Sequence, residues 1–224
     1  MTVLDDLSIV AQERRIGVVG RNGSGKTSLA RVLAGLVRPE KGQVLINGVD
    51  VAHNRKAALT CVGILFQNPD HQIIFPTVDE EIGFGLTQMG LSRTEVHSAV
   101  SNILGQFEKS HWATAPVHHL SQGQKQLVCL MAVLVMAPKV IVLDEPFAGL
   151  DIPTTLQLQR ILDRLPVTLV HITHDPAILA TYDRVIWLEA GRITKDGSAR
   201  DVLNAFHGHM IKLGAGDDLS DLAG

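Results

Sequence analysis

Ile16-Gly17-Val18-Val19-Gly20-Arg21-Asn22-Gly23-Ser24-Gly25-Lys26-Thr27-Ser28 decides the fold of this chain. Residues 16–19 read as a short buried strand. The glycine-rich turn after them leads into Leu29, Val32, Leu33 and Leu36 at helical spacing. Strand, loop and helix form the setting in which Gly20, four residues, then Gly25-Lys26-Thr27 binds phosphate rather than merely turning the chain. Glycines let successive N–H groups close on the oxygens, and the helix N-terminus adds partial positive charge. Lys26 supplies a point charge toward β- and γ-phosphates, and Thr27 offers a hydroxyl to Mg²⁺. The expected binding set is Gly20, Arg21, Asn22, Gly23, Ser24, Gly25, Lys26, Thr27 and Ser28.

A second stretch supplies carboxylates. Val140-Ile141-Val142-Leu143-Asp144-Glu145 is a run of aliphatics ending in two acids. A fully buried strand delivers both to its C-terminal end, where α/β sheets bind ligands. Asp144 is placed to hold Mg²⁺, through water. Glu145 is placed to orient and deprotonate an attacking water. Pro146 biases Glu145 away from helical geometry. A third stretch, Leu120-Ser121-Gln122-Gly123-Gln124, carries the capping-box pattern Ser-x-x-Gln. Leu127, Leu130, Met131 and Leu134 follow at helical spacing and are expected in the core. The cap explains the helix. The same exposed N-terminus, with Gly123 permitting close approach, also attracts an anion such as a γ-phosphate.

Between these stretches, Val44-Leu45-Ile46 followed by Asn47-Gly48 reads as a strand and hairpin turn. Residues 62–66 read as another buried strand ending at Gln67. Strand signals then cease from 69 to 119. Thr77-Val78-Asp79-Glu80 opens a helix with Glu80 at the capping-box position, and 93–107 is helical. Strands return at 140–143, 167–173 and 185–188. This alternation predicts an α/β fold with a parallel-sheet core and an inserted helical subdomain, and the loop at 20–27 makes it a P-loop nucleoside triphosphatase (NTPase). The division expected is a core of 1–68 and 120–205, the insertion 69–119, and a tail 206–224 within a single domain.

Composition narrows the class. The net charge of -3 leaves no basic footprint for nucleic acid. Cys61 and Cys129 are far apart, which fits a reducing compartment. Leu4-Asp5-Asp6-Leu7 places charges where a secretion signal would be apolar. The longest apolar run, 127–137, is too short to cross a bilayer, which takes about 20 residues. Of the 10 histidines, most, such as His53 and His97, are expected at the surface. His171 and His174 together are a weak metal pair.

With these motifs the chain resembles the ATPase subunits of ABC transporters over nearly its whole length. The resemblance implies ATP hydrolysis with Mg²⁺ as cofactor. It makes Gln67 the Q-loop residue that senses Mg²⁺ and the membrane partner. It makes Ala148-Gly149-Leu150-Asp151 the D-loop at the dimer interface, with Asp151 its acid, and His174 the switch histidine at the γ-phosphate. Ser121, Gln122, Gly123 and Gln124 become the signature, which caps a nucleotide held by another subunit. Two copies then sandwich two ATP molecules, as a homodimer or with a paralogue. Phe66-Gln67-Asn68-Pro69-Asp70-His71-Gln72, residues 77–85 and Gln122-Gly123-Gln124-Lys125-Gln126 are similar to energy-coupling-factor (ECF) importers. Glu13-Arg14-Arg15-Ile16-Gly17 before the loop is most similar to the biotin-transporter ATPases, then to those for cobalt or nickel. The implied partners are a transmembrane coupling subunit and a substrate-binding membrane subunit, at the cytoplasmic face of the cell membrane.

Asp79, Glu80 and Glu81 are candidate contacts for partner arginines. A charge-favoured helix start explains them equally well. A soluble ABC ATPase of DNA repair or translation would call for a coiled coil, zinc insertion or basic surface, and the sequence carries none. Glu145 argues against a module that binds without turnover. One departure concerns the base: no Phe, Trp or Tyr precedes Phe66. Base selectivity is expected to be loose unless Arg14 or Arg15 stacks on the base, or the coding sequence begins further upstream. Gln122, where glycine is commonest, is tolerable because Gly123 remains.

Overall fold

The computed structural model describes residues 3–215, so the last part of the tail expected at 206–224, residues 216–224, lies outside the described residues. The chain runs β1 (Arg15–Val19), α1 (Lys26–Leu33), β2 (Leu45–Ile46), β3 (Val49–Asp50), α2 (Arg55–Cys61) and β4 (Val62–Leu65). It continues through α3 (Val78–Met89), α4 (Arg93–Gln106), α5 (Gln122–Leu134), β5 (Val140–Asp144) and α6 (Ile152–Arg164). It closes with β6 (Thr168–Thr173), β7 (Arg184–Glu189), β8 (Arg192–Gly197) and α7 (Ala199–Gly214).

The main sheet has the order β4-β5-β6-β1-β7-β8. Its first five members are parallel, and β8 is antiparallel to β7. The aliphatic strands are buried on both faces, as parallel sheets require. On one face Leu29 and Ala30 of α1 pack on Val18, Val142, Ile172 and Leu188. On the other, α5 and α6 cover Ile141, Leu143 and Leu169, while Val202 and Phe206 of α7 cover Val19, Val185 and Trp187. The second small sheet is the hairpin read from Asn47-Gly48. Both turn residues have positive φ, 49° and 79°, as a two-residue turn of this hand demands.

The stretch between β4 and α5 is helical, as expected. Val78, Ile82, Val100 and Leu104 of α3 and α4 form a core with Val128 and Met131 of α5. That helix therefore serves two cores. This is why Val128, Cys129 and Val133 are buried with Leu130 and Met131, while Leu127 and Leu134, expected inside, are half-buried.

Other expectations are corrected. α1 stops at Leu33, and Leu36 is 56% exposed. Gly35, at φ 70°, turns the chain so that the Leu36 N–H bonds back to the Arg31 carbonyl, a Schellman-type stop. Thr77 does begin α3, but no capping box forms: its hydroxyl donates to the Asp79 and Glu80 carboxylates instead. The reciprocal box stands at α4, between Ser92 and Glu95, and at α5, between Ser121 and Gln124. α2 and β8 were not expected. α2 buries only Ala58 and Cys61, so it has no apolar stripe to read. β8 is an edge strand whose charged residues face solvent. α7 crosses the expected 205/206 boundary, capped by Ser198 and anchored by buried Phe206.

Candidate active site

Three parallel strands end side by side, and each hands over its motif there. β1 releases the glycine-rich loop, β5 releases Asp144 and Glu145, and β6 releases Thr173 and His174. Pairing sets the depth: Asp144 is level with Ile172, and Val19 with Thr173. The loop closes tightly. A Cβ on Gly20 would lie 2.1 Å from the Leu188 carbonyl oxygen, so only glycine fits. Gly25, the N-cap of α1, holds φ 100°, which glycine adopts without strain. Ser24 is 3% exposed and its hydroxyl has no partner among the described residues. A buried donor without a partner inside a loop of N–H groups fits a phosphate oxygen.

Lys26 is buried, and its Nζ donates to the Gly20 and Arg21 carbonyls at 2.7 and 2.8 Å. Burial lowers its pKa, opposed by the charges of Glu145, Asp144 and Glu189. Asp144 is 3% exposed, and burial raises its pKa more than the Thr27 hydrogen bond lowers it. The Thr27 hydroxyl donates to Asp144 Oδ1 at 3.3 Å. Both charged groups are thus held desolvated. A hydroxyl and a carboxylate side by side, with the exposed Gln67 just beyond the neighbouring β4, form an oxygen donor set suited to Mg²⁺.

Glu145 is held on three sides. Its N–H donates to the Ile172 carbonyl at 2.9 Å. The Thr173 hydroxyl donates to Oε2 at 3.1 Å, and His174 Nδ1 lies 2.8 Å from Oε1. Its φ is 50°. The sequence reading that Pro146 keeps this residue from right-handed helical geometry holds, but the backbone is left-handed, not extended. A non-glycine residue there stores strain of about 1–2 kcal/mol. Thr173 was not anticipated; its only sequence signal is adjacency to His174.

The start of α5, expected as the signature, carries its capping box. Ser121 Oγ accepts from the Gln124 N–H at 3.3 Å, while Gln124 Oε1 accepts from the Ser121 N–H at 2.8 Å. The hydroxyl proton of Ser121 remains available to a further acceptor. Gly123 has a packing reason beyond the expected one: a Cβ there would lie 2.3 Å from Thr154 Cγ2 of α6. Asp151 caps α6, accepting from the Thr154 N–H at 2.9 Å, and the hydrogen bonds of the Thr154 side chain and N–H lower its pKa. A Cβ on Gly149 would lie 3.6 Å from Gln122 Nε2, so the segment expected as the D-loop and the one expected as the signature meet at an exposed surface.

Several expected roles are not supported by the geometry. Glu81 is 6% exposed and its Oε2 accepts from the Ile74 and Phe75 N–H groups, each at 2.9 Å, so it cannot meet an incoming arginine. It instead pins the segment after Gln67 to α3. Asp79 and Glu80 remain accessible beside it. A cleft of about 310 Å³ nearby is lined by Ile74, Phe75, Pro76, His118, Asp70 and Lys125, the last two ion-paired at 2.7 Å. Arg15 cannot stack on a base. It stands at the opposite end of β1 and donates to the carbonyls of Val167, Leu162, Asp163 and Leu165. Arg14 precedes it at that same end. His171 and His174 form no metal pair: His171 is buried and bonded to the Tyr182 hydroxyl at 2.8 Å. No group of three metal-ligating His, Cys, Asp or Glu occurs among the described residues.

Comparison with known proteins accords with this geometry. The profile of the ABC transporter family matches residues 4–148. The chain belongs to that family, as an ATP-binding, ATP-hydrolysing subunit. It is 51% identical to the biotin transport ATP-binding protein BioM of Rhodobacter capsulatus, over 94% of this chain and 90% of that protein. It is 37% identical to the energy-coupling factor transporter ATP-binding protein EcfA of Methanocaldococcus jannaschii, over 87% of this chain and 72% of that one. Among solved structures, cbiO1 from Clostridium perfringens, part of the ABC transporter complex cbiONQ, superposes with a TM-score of 0.76 at 29% identity, covering 94% and 92% of the two chains. Among the described residues no helix is long and apolar enough to cross a membrane.

Proposed function

We propose that this chain energises an ECF-type importer of biotin, working as a pair of copies at the cytoplasmic face of the membrane. The observation that carries the chemistry is Glu145, gripped by His174 and Thr173 at the strand ends beside the phosphate loop. The cargo is inferred from the 51% identity to a biotin transport protein over nearly the full chain.

In this reading residues Gly20 to Ser28 wrap the triphosphate. Lys26 leaves its two carbonyl partners for the β- and γ-phosphates. Thr27, Asp144 and Gln67 hold Mg²⁺, which neutralises phosphate charge when bound. Glu145 accepts a proton from water as that water attacks the γ-phosphorus; the bond to the ADP oxygen breaks, giving ADP and phosphate. His174 keeps Glu145 aimed and reaches the γ-phosphate. Ser121 and the N-terminus of α5, with Gln122, Gly123 and Gln124, close on the γ-phosphate of the partner copy, and Asp151 crosses between the copies. The cleft between the segment after Gln67 and the residues at and before the start of α5 receives a helix of the transmembrane coupling subunit, with Asp79 and Glu80 at the nearby start of α3 available to its arginines. A further membrane subunit binds the substrate. A heterodimer with a paralogue would use the same contacts.

Co-expression with candidate membrane subunits tests the cargo. Biotin uptake that needs this chain and is lost with Lys26→Ala is the expected result; uptake of another cargo, with none of biotin, would refute it.

A further inference from the structure

Gln126 stands on the inward side of α5 and is 1% exposed. Its Nε2 donates to two main-chain carbonyls, those of Phe66 and Pro146, each at 3.1 Å. Phe66 immediately precedes Gln67, and Pro146 immediately follows Glu145. One side-chain amide therefore joins three segments: the helix that carries the signature, the turn after β4 and the turn after β5. Its Oε1 is buried without a partner among the described residues. Turning the amide over would press Oε1 against two carbonyl oxygens, so the neighbours fix its orientation. A buried acceptor left unpaired costs stability. The interaction is thus aimed at holding two carbonyls rather than at satisfying the amide.

The two turns it holds are otherwise stiff. The Phe66 N–H donates to Gln72 Oε1 at 3.1 Å, and the Glu145 N–H to the Ile172 carbonyl at 2.9 Å. Glu145 sits in a left-handed conformation between Thr173 and His174, so a small shift of Pro146 redirects its carboxylate. Gln126 lies little more than one helical turn from the N-cap Ser121, so the two move with one rigid element.

We infer that Gln126 is a positioning residue that couples the two ATP sites. The inference rests on the sandwich reading above. There, Ser121 of one copy meets the nucleotide bound by its partner, whereas Gln67 and Glu145 serve the nucleotide bound by their own copy. α5 has its N-terminus at one site, and through Gln126 it holds the residues of the other. Engagement of the partner's ATP by Ser121 shifts α5, and the amide passes that shift to Gln67 and Glu145. Coupling of this kind requires an element that both sites bias, and α5 is that element.

Phosphate release by the full chain, followed against ATP concentration, tests this. The wild-type curve should be sigmoidal. Gln126→Leu and Gln126→Met, which conserve volume, should bring the Hill coefficient to about one and lower kcat about tenfold, with affinity for a fluorescent ATP analogue kept. Ser121→Ala combined with Gln126→Met should be no slower than the slower single variant, since both break one path. Multiplying effects, or a lowered kcat with an unchanged Hill coefficient, would leave Gln126 a packing residue and overturn the inference. Should neither Gln126 variant fold, hydrogen exchange decides it in the chain with Gln126 intact. Ser121→Ala should alter protection of residues 145–150 in the ATP-bound form, and unaltered protection refutes the coupling. A hyperbolic wild-type curve, with no ATP-dependent dimer by light scattering, would instead remove the sandwich reading and the coupling with it.

Discussion

Nδ1 of His174 lies 2.8 Å from Oε1 of Glu145, across the gap between the ends of β6 and β5. The two residues are 29 positions apart in sequence. They meet because β5 and β6 are neighbours in register and both stop at the same edge. The Thr173 hydroxyl takes the other carboxylate oxygen, so the carboxylate we propose as the base is aimed before any nucleotide arrives, and catalysis gains most from groups fixed in advance.

Glu145→Gln should lower phosphate release by about 10²–10⁴-fold while retaining ATP binding, because the amide keeps the shape and loses the base. The variant should accumulate as an ATP-bound dimer in light scattering. Thr173→Val, which removes the bond to Glu145 and the one accepted from the Asp175 N–H and keeps the base, should lower kcat by about tenfold with KM little changed.

Lys26 and Asp144 are buried charges awaiting counter-charges, so nucleotide should stabilise the protein. At about 100 times Kd, Mg-ATP should add about 2.7 kcal/mol, read as a rise in Tm. EDTA should remove most of that rise. Asp144→Asn should raise the Tm of the nucleotide-free chain, since burial raises the Asp144 pKa and its ionised form costs stability at neutral pH. The same variant should lose the response to Mg-ATP. A nucleotide-free Asp144→Asn chain less stable than wild type would contradict this account.

Burial pushes the pKa of His171 down from 6.5 to about 3. The unfolded chain therefore binds a proton that the folded chain refuses between those values. Stability from this group is complete above pH 6.5 and is lost as pH falls toward 3, at no more than about 1.4 kcal/mol per pH unit. Denaturation midpoints of His171→Leu and wild type, followed from pH 7 to 4, should show a shallower slope in the variant.

Glu81 and its neighbours on α3 should separate cleanly. Glu81→Lys buries a cation against two N–H donors and should cost several kcal/mol of stability. Asp79→Asn with Glu80→Gln, which keep hydrogen-bond acceptors for the Thr77 hydroxyl, should lower Tm far less than Glu81→Lys yet reduce uptake in the assembled transporter. Unchanged uptake would remove the groove assignment.

Arg15 holds carbonyls at the end of α6 and along the chain into β6, and Arg15→Lys cannot reproduce a fork across four acceptors. Its Tm should fall by an amount worth about 1–3 kcal/mol, with KM for ATP unaffected because the site is at the other end of the sheet.

The phosphate loop, the paired acids after 140–143 and the cap at Ser121 were legible in the chain itself. Each is a local pattern: glycines where backbone must close on an anion, aliphatics before carboxylates, and a hydroxyl three residues before an amide. Strand and helix periods were enough to name an α/β fold with a helical insertion. Tertiary structure decided which distant groups touch. Glu81 looked like one of three surface acids, and only packing shows its carboxylate turned inward onto the Ile74 and Phe75 N–H groups. Arg15 was open to a role at the base until the strand direction placed it at the far end. Gln126 followed the signature as one more polar residue, and its burial depends on α5 lying between two cores. Local rules determine what a segment can bind. Whether a side chain meets solvent, a carbonyl or a partner depends on sheet register and on helix faces that no single stretch encodes.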